Sequence, residues 1–390
     1  MQEETRIFSS HNIQEMNDPN VFIVILNHNN GSDTIECLES LFNLQYSNFT
    51  VIVCDNGSKD NSIELIQKWA SGLHPAPHSF FQDNPFGCKI VPKPIPIHSL
   101  TVHQRINDFS QYNHFRLILL KNNDNLGFGA GCNTGLRLVL KDSSIEFVWI
   151  LNNDTVVDPN ALTHLVNKMK SDSSLGACGS TILYYHDPTT IQALGGFLYT
   201  PLTGKSRQIG HLKKFVPNAS YILLEQDIEK KMYWIQGASM FLSKDFLDRV
   251  GLFSEDYFLY FEEQDFGIRS RQILRSGYAS KSIIYHKEGR TTGSASFGWN
   301  KKSLISEFYL TRSRLVFTKK YYPHFLPFIY VSHLFLAIMR LCHLQWKNSL
   351  VVLLCSVFFN DLQRNTERNP YEYFLRKISK SKFIRIMSLR

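Results

Sequence analysis

The sequence lacks the features that mark several special classes of protein. Its seven cysteines are scattered and never spaced as Cys-x-x-Cys, which excludes a cysteine-based metal site. No charged-then-apolar leader opens the chain, so we expect a cytosolic protein with reduced thiols. No repeat of solenoid period is present, and the apolar runs at residues 325–339 and 350–359 are shorter than the roughly 20 residues that span a bilayer.

Composition excludes extensive disorder, because 43% of the residues are hydrophobic and only 19% are charged. A length of 390 residues exceeds one average core, so we expect one large domain with appendages, or two domains. The net charge of +8 is uneven, since residues 301–390 hold 16 Lys and Arg against 4 Asp and Glu. Anions should therefore be attracted to the C-terminal end of the chain.

Apolar runs of strand length alternate with helical patterns in the first half of the chain, and polar loops follow the runs. The Asp33 and Glu36 pair predicts a capping box at the first helix. We therefore predict an α/β fold with a mainly parallel sheet and helices on both faces, whose ligands sit beyond the carboxyl ends of the strands. The predicted strands are residues 21–26, 51–54, 117–120, 147–151, 232–242 and 282–286, and residues 262–276 predict a helix.

The chain divides into three parts on this pattern. Residues 1–17 form an N-terminal extension, residues 18–300 an α/β domain, and residues 301–390 a basic helical region that we expect to associate with membranes. Residues 72–113 have no periodicity and contain six prolines, so we expect an insertion that decorates the surface rather than a functional lid.

The loops after the predicted strands are rich in Asn, Asp and Gly. Each alone is weak evidence, because these are ordinary turn residues. Their recurrence at the strand ends predicts a ligand site along one rim of the sheet. The four loops are Asn27-His28-Asn29-Asn30, Asp55-Asn56-Gly57-Ser58, the segment 122–131, and Asn152-Asn153-Asp154.

A series of motifs resembles the bacterial rhamnosyltransferase-like branch of the family 2 glycosyltransferases, which have the GT-A fold. In order they are VFIVILNHNNGSDTIECLESL, VIVCDNGSKDNS, NNDNLGFGAGCNTG, WILNNDT, WIQGASMFLSKDFLDRVGLFSEDYFLYFEEQDFGIRSR, YHKEG and FYLTRSRLVFTKKYYP, and together they cover about residues 20–325. The resemblance implies inverting transfer of a sugar, with rhamnose as first choice, from a dTDP-sugar or UDP-sugar to a saccharide or lipid-linked acceptor. It also implies a membrane-surface partner at the cytoplasmic face of the inner membrane, and no nucleic acid.

The resemblance further implies that Asp55 accepts the imide proton of a uracil or thymine base. A turn-forming role for Asp55 is about equally probable without the family. The glycine-rich loop opens a helix whose N-terminus suits phosphate or sugar oxygens. The predicted donor-binding residues are Asn27, Asn29, Asp55, Asn56, Gly57, Asn125, Gly127, Phe128, Asn133, Asn152, Asn153, Trp234, Gly237 and Arg312.

A divalent cation, Mg²⁺ or Mn²⁺, is implied by the match of Asn152-Asn153-Asp154 to the family's DxD motif. Asp154 would be a metal ligand, since hard cations prefer oxygen ligands and neutralise a diphosphate leaving group. Asn152 stands where the motif has its first carboxylate. His286 matches the family's late histidine and would be a second ligand, although a lone histidine is more often structural.

The catalytic base is implied to lie in Glu262-Glu263-Gln264-Asp265. The family position falls on Glu263, and Glu262 and Asp265 are the competing carboxylates. Acids at a helix start can instead be simple stabilisers of the helix dipole. Further along, Arg312 and Arg314 lie near the active-site edge in the family, but solvated surface charge is the favoured interpretation of both.

Two rival functions are to be compared with sugar transfer. A nucleotidyltransferase that makes sugar nucleotides also uses a Rossmann-like sheet, but it needs a basic glycine-rich loop after the first strand, and residues 27–33 contain no Lys or Arg. A catalytically dead glycan-binding relative would have no need of Glu263 and Asp154. Hydrolysis of a sugar nucleotide would separate that relative from an enzyme.

Overall fold

A computed structural model describes residues 18–75, 89–112, 114–216, 221–288, 302–364 and 369–380. The N-terminal extension, the middle of the predicted insertion and the last ten residues lie outside the described residues. The first half contains β1 (Val21–Asn27), α1 (Gly31–Leu41), β2 (Phe49–Asn56), α2 (Ser62–Ala70), β3 (Ile97–Thr101), β4 (Leu117–Asn122), α3 (Phe128–Val139), β5 (Phe147–Asn152), β6 (Thr155–Val157) and α4 (Ala161–Ser171).

The second half of the α/β unit is richer in antiparallel strands. It contains β7 (Leu175–Tyr184), β8 (Asp187–Leu194), β9 (Gly196–Thr200), β10 (Lys205–Gln208), α5 (Tyr221–Lys231), β11 (Trp234–Ile235), β12 (Ser239–Ser243), α6 (Lys244–Val250), α7 (Glu262–Ser270) and β13 (Arg275–His286). Five helices follow, namely α8 (Leu304–Tyr321), α9 (Leu326–Cys342), α10 (Trp346–Val357), α11 (Phe359–Arg364) and α12 (Pro370–Lys380).

One sheet of ten strands organises the domain, in the order β3-β4-β2-β1-β5-β12-β7-β13-β6, with β8 paired to β7. Strands β1 to β5 run parallel, as the sequence predicts, and β12 enters antiparallel beside β5. A separate three-stranded sheet has the order β10-β9-β11. The predicted α/β fold with a mainly parallel sheet is confirmed.

Helices cover both faces of the central strands, which explains why these strands are apolar throughout. Val21, Ile23 and Ile25 of β1 share one buried cluster with α1 and α2. Phe22 and Val24 point the other way, into a cluster with α3. Side chains of β1 therefore alternate between two cores. Packing on both faces fixes this central strand and, with it, the position of its carboxyl end.

The predicted capping box at α1 is wrong. The helix begins at Gly31 after Asn30, and no side chain caps it. Asp33 and Glu36 instead direct their carboxylates to the amino group of Lys287, on the strand end at the far side of the site. A long-range ion pair replaces the local contact because both acids are buried and need a counter-charge.

The predicted insertion contributes a strand to the sheet, which the sequence did not reveal. Strand β3 pairs in parallel with β4 at the sheet edge. Its residues, Ile-His-Ser-Leu-Thr, carry only two large apolar side chains, because an edge strand is half-exposed. Residues 76–88 and 113 of the insertion lie outside the described residues.

Three other predicted boundaries need correction. Residues 232–242 form two strands, because the turn from Gln236 to Ser239 separates β11 from β12. Helix α7 ends at Ser270, before the predicted 276. Strand β13 then runs twelve residues rather than five, and pairs in parallel with β7.

The apolar segment near the C-terminus is longer than the sequence pattern indicated. The helical stretch Pro323–Cys342 has 20 residues and, by length and composition alone, is long and apolar enough to cross a membrane. The prediction that the first apolar run is too short to span is therefore wrong, whereas the second run lies in the shorter helix Trp346–Val357, as predicted. One face of α9 packs through Ile329, His333, Ala337 and Arg340, while its other face is exposed.

Candidate active site

Three neighbouring strand ends meet in one polar patch. Asn27, at the end of β1, donates from Nδ2 to Oδ1 of Asp55 at the end of β2, over 2.8 Å. Its Oδ1 accepts from Thr34, over 2.9 Å. Asn153, after β5, donates to the same Thr34 hydroxyl, over 3.0 Å. The structure thus brings together the predicted residues of the first, second and fourth strand loops.

Asp55 is buried and already holds several hydrogen bonds. Oδ1 accepts from Asn27 and from the Ser58 hydroxyl at 2.5 Å, and Oδ2 accepts from the Ser58 amide at 3.1 Å. Asn29, in a left-handed conformation with φ of 52°, accepts from the Lys59 amide at 2.7 Å and so fastens the first loop to the second. Recognition of a nucleobase by Asp55 stays a prediction.

The glycine-rich loop is held by side-chain amides. Asn56 donates to Oδ1 of Asn125 and to the carbonyl of Gly127, both at 3.0 Å, and accepts from the Leu126 amide at 3.1 Å. Gly57 has a φ of 69°, and a Cβ there would lie 2.6 Å from the carbonyl carbon of Asp124. Asn56, Asn125 and Gly57 therefore set the position of this loop against the second strand loop.

The start of α3 is less open than the sequence suggested. The amide of Phe128 donates to the carbonyl of Phe258 over 2.9 Å, and a Cβ on Gly127 would collide with that carbonyl. The first helix amide is therefore occupied by protein, and binding of phosphate or sugar oxygens by the other amides of the first turn stays a prediction. Asn133 is buried and bonds the backbone of Phe253 in both directions, at 3.0 and 3.1 Å, so it ties α3 to the segment before α7.

Asp154 and His286 lie together, as their assignment as metal ligands requires. Nε2 of His286 is 3.1 Å from Oδ1 of Asp154, and Nδ1 is 2.9 Å from Oε1 of Gln192. Burial would raise the pKa of Asp154, but His286 and Lys287 lower it. Burial would lower the pKa of His286, but the neighbouring Asp154 carboxylate has the larger effect, so the pKa of His286 is raised. The contact therefore favours an ionised carboxylate at Asp154 and a protonated imidazole at His286.

The residues present fit a divalent cation in part. Oδ1 of Asn152 is buried without a hydrogen-bond partner and belongs to the same group, since its Nδ2 lies 3.4 Å from Nε2 of His286. Gln192 supplies the outer hydrogen bond that orients a metal-binding imidazole. In the described part of the chain no group of three or more His, Cys, Asp or Glu residues can hold a metal ion. An oxygen from Asn152 would have to join Asp154 and His286.

Sequence reasoning missed a buried cluster beside this pair. Lys287 forms ion pairs with Asp33 and Glu36, its amide donates to the carbonyl of Asp154 over 3.0 Å, and Tyr185 donates to Glu36 over 2.5 Å. The cluster joins α1 to the end of β13. The only available signal was a lysine beside the matched histidine and two acids on the first helix, which local capping appeared to explain.

Glu263 is held against Gly237. A methyl group on Gly237 would collide with Oε1 of Glu263, so the glycine leaves the space that this carboxylate fills. The neighbouring Ala238 accepts from the Asn152 amide over 3.1 Å, which connects Glu263 to the β5 end of the site. Glu263 is half-buried, and no side chain of the described residues forms a hydrogen bond or ion pair with its carboxylate. Burial raises its pKa to about 7, although a hydrogen bond from its own backbone amide acts in the opposite direction.

The competing carboxylates have different surroundings. Glu262 is buried, its Oε2 has no partner, and burial raises its pKa well above the ordinary value. Asp265 is buried and bonds Arg269 at 2.7 Å, Lys320 at 2.9 Å and Tyr321 at 2.7 Å. Although burial would raise the pKa of Asp265, its cationic and hydroxyl partners lower it. Asp265 therefore fastens α7 to the end of α8.

Two further predicted residues lie in the packing between the domain and α8. Trp234 is buried, with its ring 5.7 Å from that of Phe197 and 5.2 Å from that of Tyr199. Arg312 is also buried, and donates from Nη1 to the carbonyl of Asp256 over 3.1 Å. The interpretation of Arg312 as a solvated surface charge is therefore wrong, because helix α8 turns this side chain inward.

The solved structures to which this chain is similar include several glycosyltransferases. GalNAc-T7 with UDP, GalNAc and Mn²⁺ has a TM-score of 0.50 at 12% identity, covering 80% of this chain and 50% of that chain. A mannosyltransferase, PcManGT from Pyrobaculum calidifontis in complex with GDP-Man and Mn²⁺, has a TM-score of 0.46 at 14% identity, covering 95% and 84%. TarS from S. aureus has a TM-score of 0.43 at 14% identity, covering 76% and 39%.

At such identities a structural likeness shows the fold alone, and the chain spans half the length of the GalNAc-T7 structure. Among curated proteins, none is similar enough in sequence to match. The family evidence is stronger, since the model of glycosyl transferase family 2 matches residues 22–88 and 102–231, just over half of the chain. With its mainly parallel sheet and its polar strand ends, the chain belongs to glycosyl transferase family 2 and has the GT-A fold.

Proposed function

We propose that this protein is an inverting glycosyltransferase that moves a sugar from a dTDP-sugar or UDP-sugar to a saccharide, in bacterial surface polysaccharide synthesis. One observation carries the proposal: a half-buried carboxylate without a side-chain partner, Glu263, lies beside the end of β5, which leads to Asp154 and its neighbour His286. Rhamnose is the sugar to test first, and a lipid-linked saccharide is the acceptor class. Family membership favours sugar transfer over formation of a sugar nucleotide.

The base step rests on the environment of Glu263. A carboxylate whose pKa is about 7 is a stronger base than an ordinary glutamate, yet is still ionised in part at neutral pH. It would take the proton of the acceptor hydroxyl as that oxygen attacks the anomeric carbon, and the bond from that carbon to the diphosphate breaks on the opposite face. Asp265 would not act as the base in this step, because Arg269, Lys320 and the Tyr321 hydroxyl already bind its carboxylate.

We assign binding of the nucleotide-sugar donor to the residues at the other strand ends. Asp55 would accept the imide proton of the base, and Asp154, His286 and Asn152 would hold Mg²⁺ or Mn²⁺. The chemistry that the cation supplies when bound is neutralisation of the diphosphate leaving group. Lys287 keeps Asp154 in place through its backbone and balances the charge of Asp33 and Glu36.

Nucleotide recognition gives the direct test. Asp55→Ala should weaken binding of UDP and dTDP by about 1.5–3 kcal/mol, because a hydrogen bond to a charged acceptor is lost. Titration calorimetry on both nucleotides measures this, with transfer from dTDP-rhamnose and UDP-sugars assayed alongside. Asp245→Ala is the matched control, since Asp245 is an exposed acid on α6 that pairs with Arg249 at 3.2 Å. Equal affinities of wild type and Asp55→Ala would refute the assignment.

Attachment to the cytoplasmic face of the inner membrane is part of the proposal, with the protein peripheral or monotopic. The +12 charge of residues 301–390 would attract anionic lipids. Helix α9 presents Val331, Phe335 and Ile338 to the outside. Its inner face carries Arg340, which pairs with Glu307 of α8 at 2.7 Å, and this favours a helix that lies in the membrane surface over one that crosses it.

The exposed face of α9 is therefore expected to govern sedimentation with membranes. Replacing Val331, Phe335 and Ile338 together by glutamine should release the protein into the soluble fraction, because burial of each large apolar side chain contributes about 1.5–3 kcal/mol. The control replaces Val102 and Leu202, exposed apolar residues of the catalytic domain, by glutamine. A wild-type chain found wholly in the soluble fraction, or a triple variant that still sediments, would contradict the proposal.

A further inference from the structure

The turn that leads into α7 has a strained backbone. Tyr260 and Phe261, the two residues before Glu262, both adopt left-handed conformations, with φ of 64° and 75°. Residues with a bulky side chain rarely adopt this region, because their Cβ crowds the backbone. Consecutive strained residues persist only where the surrounding structure holds them, and such strain is concentrated at functional sites. This turn lies directly before the proposed catalytic base.

One face of α8 holds the turn by hydrogen bonds. The Ser313 hydroxyl donates to the carbonyl of Leu259 over 3.0 Å. The Tyr260 hydroxyl donates to Oγ of Ser306 over 3.1 Å. Ser306 and Ser313 are seven residues apart, which is about two helical turns, so both lie on the same side of α8.

Aromatic packing on α8 holds the turn as well. Phe261 is only 3% exposed, and its ring lies 5.4 Å from that of Phe317, four residues beyond Ser313. Glycine at position 261 would adopt the left-handed conformation freely but would lose this contact. The aromatic side chain therefore holds the turn in a conformation that its backbone alone does not favour.

The first turn of α7 takes its position from this anchor. The carbonyl of Phe261 accepts from the Asp265 amide over 2.9 Å, which is the first hydrogen bond of the helix. Glu263 follows Phe261 by two residues, and its carboxylate fills the space beside Gly237. A rotation of the turn would therefore carry Glu263 away from Gly237 and from the end of β5.

The same segment also contacts the start of α3. The carbonyl of Phe258 accepts from the Phe128 amide over 2.9 Å. The ring of Phe258 stacks on that of Tyr309 of α8, with centroids 4.9 Å apart. Helix α8 is thus connected, through one short segment, to the glycine-rich loop on one side and to the helix of the proposed base on the other.

We infer that Phe261 is a positioning residue for sugar transfer: packing against Phe317 of α8 holds it in the left-handed conformation that places Glu263 beside Gly237. The inference rests on the proposed function and deepens it, because it names residues that act on the reaction through Glu263. Glu263 would accept the proton of the acceptor hydroxyl, and Phe261 would fix where the accepting oxygens lie.

The experiment compares the full-length wild type with Phe261→Gly, Phe317→Ala and Phe317→Leu. Alanine removes the support from α8, whereas leucine keeps most of its volume. Turnover with dTDP-rhamnose, or with the UDP-sugar that the wild type prefers, is measured across pH, and thermal stability is measured on the same preparations. Phe109→Ala is the matched control, since Phe109 is buried and its ring packs against Phe22 and Tyr112.

Phe261→Gly and Phe317→Ala are expected to lower turnover by about 10- to 100-fold, because a small displacement of a catalytic group has an effect of that size. The pH of half-maximal rate should also move below about 7, since a displaced Glu263 is less buried. Among the described residues, Glu262 and the Cys132 thiol of α3 interact electrostatically with Glu263, and burial favours the neutral form of both. Phe317→Leu should recover most of the turnover.

Phe109→Ala should lose stability while keeping the wild-type pH dependence. The same behaviour in Phe261→Gly and Phe317→Ala, with an unchanged pH of half-maximal rate, would show a purely structural role and overturn the inference. Wild-type turnover by Phe261→Gly would overturn it as well. Full transfer by Glu263→Gln, or no transfer by the wild type from any of these donors, would instead overturn the proposed function on which the inference rests.

Discussion

Glu263→Gln is expected to lower the turnover of sugar transfer by ~10²–10⁴ while leaving the affinity for nucleotide nearly unchanged. Glutamine keeps the shape of the side chain against Gly237 but cannot accept the proton of the acceptor hydroxyl. Because the pKa of Glu263 is raised to about 7, the wild-type rate should fall as the pH is lowered through about 7, where the base becomes protonated. A pH profile of turnover and a nucleotide titration on the same preparation measure both effects.

The neighbouring carboxylates provide matched controls for this result. Asp265→Asn should reduce thermal stability, because Arg269 and Lys320 lose a buried counter-charge. Glu262→Gln should change turnover little, since burial already favours the neutral form of Glu262. Gly237→Ala should displace Glu263 and lower turnover. Near-normal transfer by Glu263→Gln, with loss of transfer in Glu262→Gln at unchanged stability, would move the base to Glu262.

Removal of divalent cations is expected to abolish transfer, and added Mg²⁺ or Mn²⁺ should restore it. Asp154→Asn should lower turnover by about 100-fold, because a cation that supplies several kcal/mol of charge stabilisation is then held by one carboxylate fewer. His286→Gln should have a smaller effect and should raise the cation concentration needed for half-maximal rate. Rates measured across a Mn²⁺ titration, for wild type and both variants, check all three statements.

The control for this series is Asp60→Asn. Asp60 lies in the second strand loop, where its Oδ1 accepts from the amide and the hydroxyl of Ser62, and within the described part of the chain no hydrogen bond or ion pair joins it to His286. Its Mn²⁺ dependence should match that of wild type. Full activity of the wild type in chelator would instead mean that the Asn152 position leaves the site without a functional cation, and that basic side chains stabilise the diphosphate.

The regular part of the sheet could be predicted from sequence because its information is local. Strands β1, β2, β4 and β5 are buried on both faces, so each appears as a continuous apolar run followed by Asn, Asp or Gly. Strand β3 could not be found in this way, since a half-exposed edge strand needs only two apolar residues, and the prolines around it dominated the pattern.

The meeting of Asp154 with His286 was predicted from the resemblance rather than from spacing, as the two residues are far apart in the sequence. What local reasoning could not supply was the set of tertiary partners. The sequence around Asp33 is typical of a helix cap, but in the structure Asp33 belongs to a buried ion pair with Lys287. Arg312 has the sequence of a surface charge, but α8 lies against the domain and turns it inward.

Asp265 has a consequence for how members of this family can be recombined. Asp265, on the helix that carries the proposed base, accepts hydrogen bonds from Lys320 and Tyr321 in the last turn of α8. A boundary drawn at residue 300 would therefore separate Asp265 from both of these partners. A chimera that takes its apolar C-terminal helices from a relative should therefore keep the segment up to Tyr322 together with the rest of the catalytic domain. The exchangeable module begins at Pro323, where the chain turns into the apolar helix.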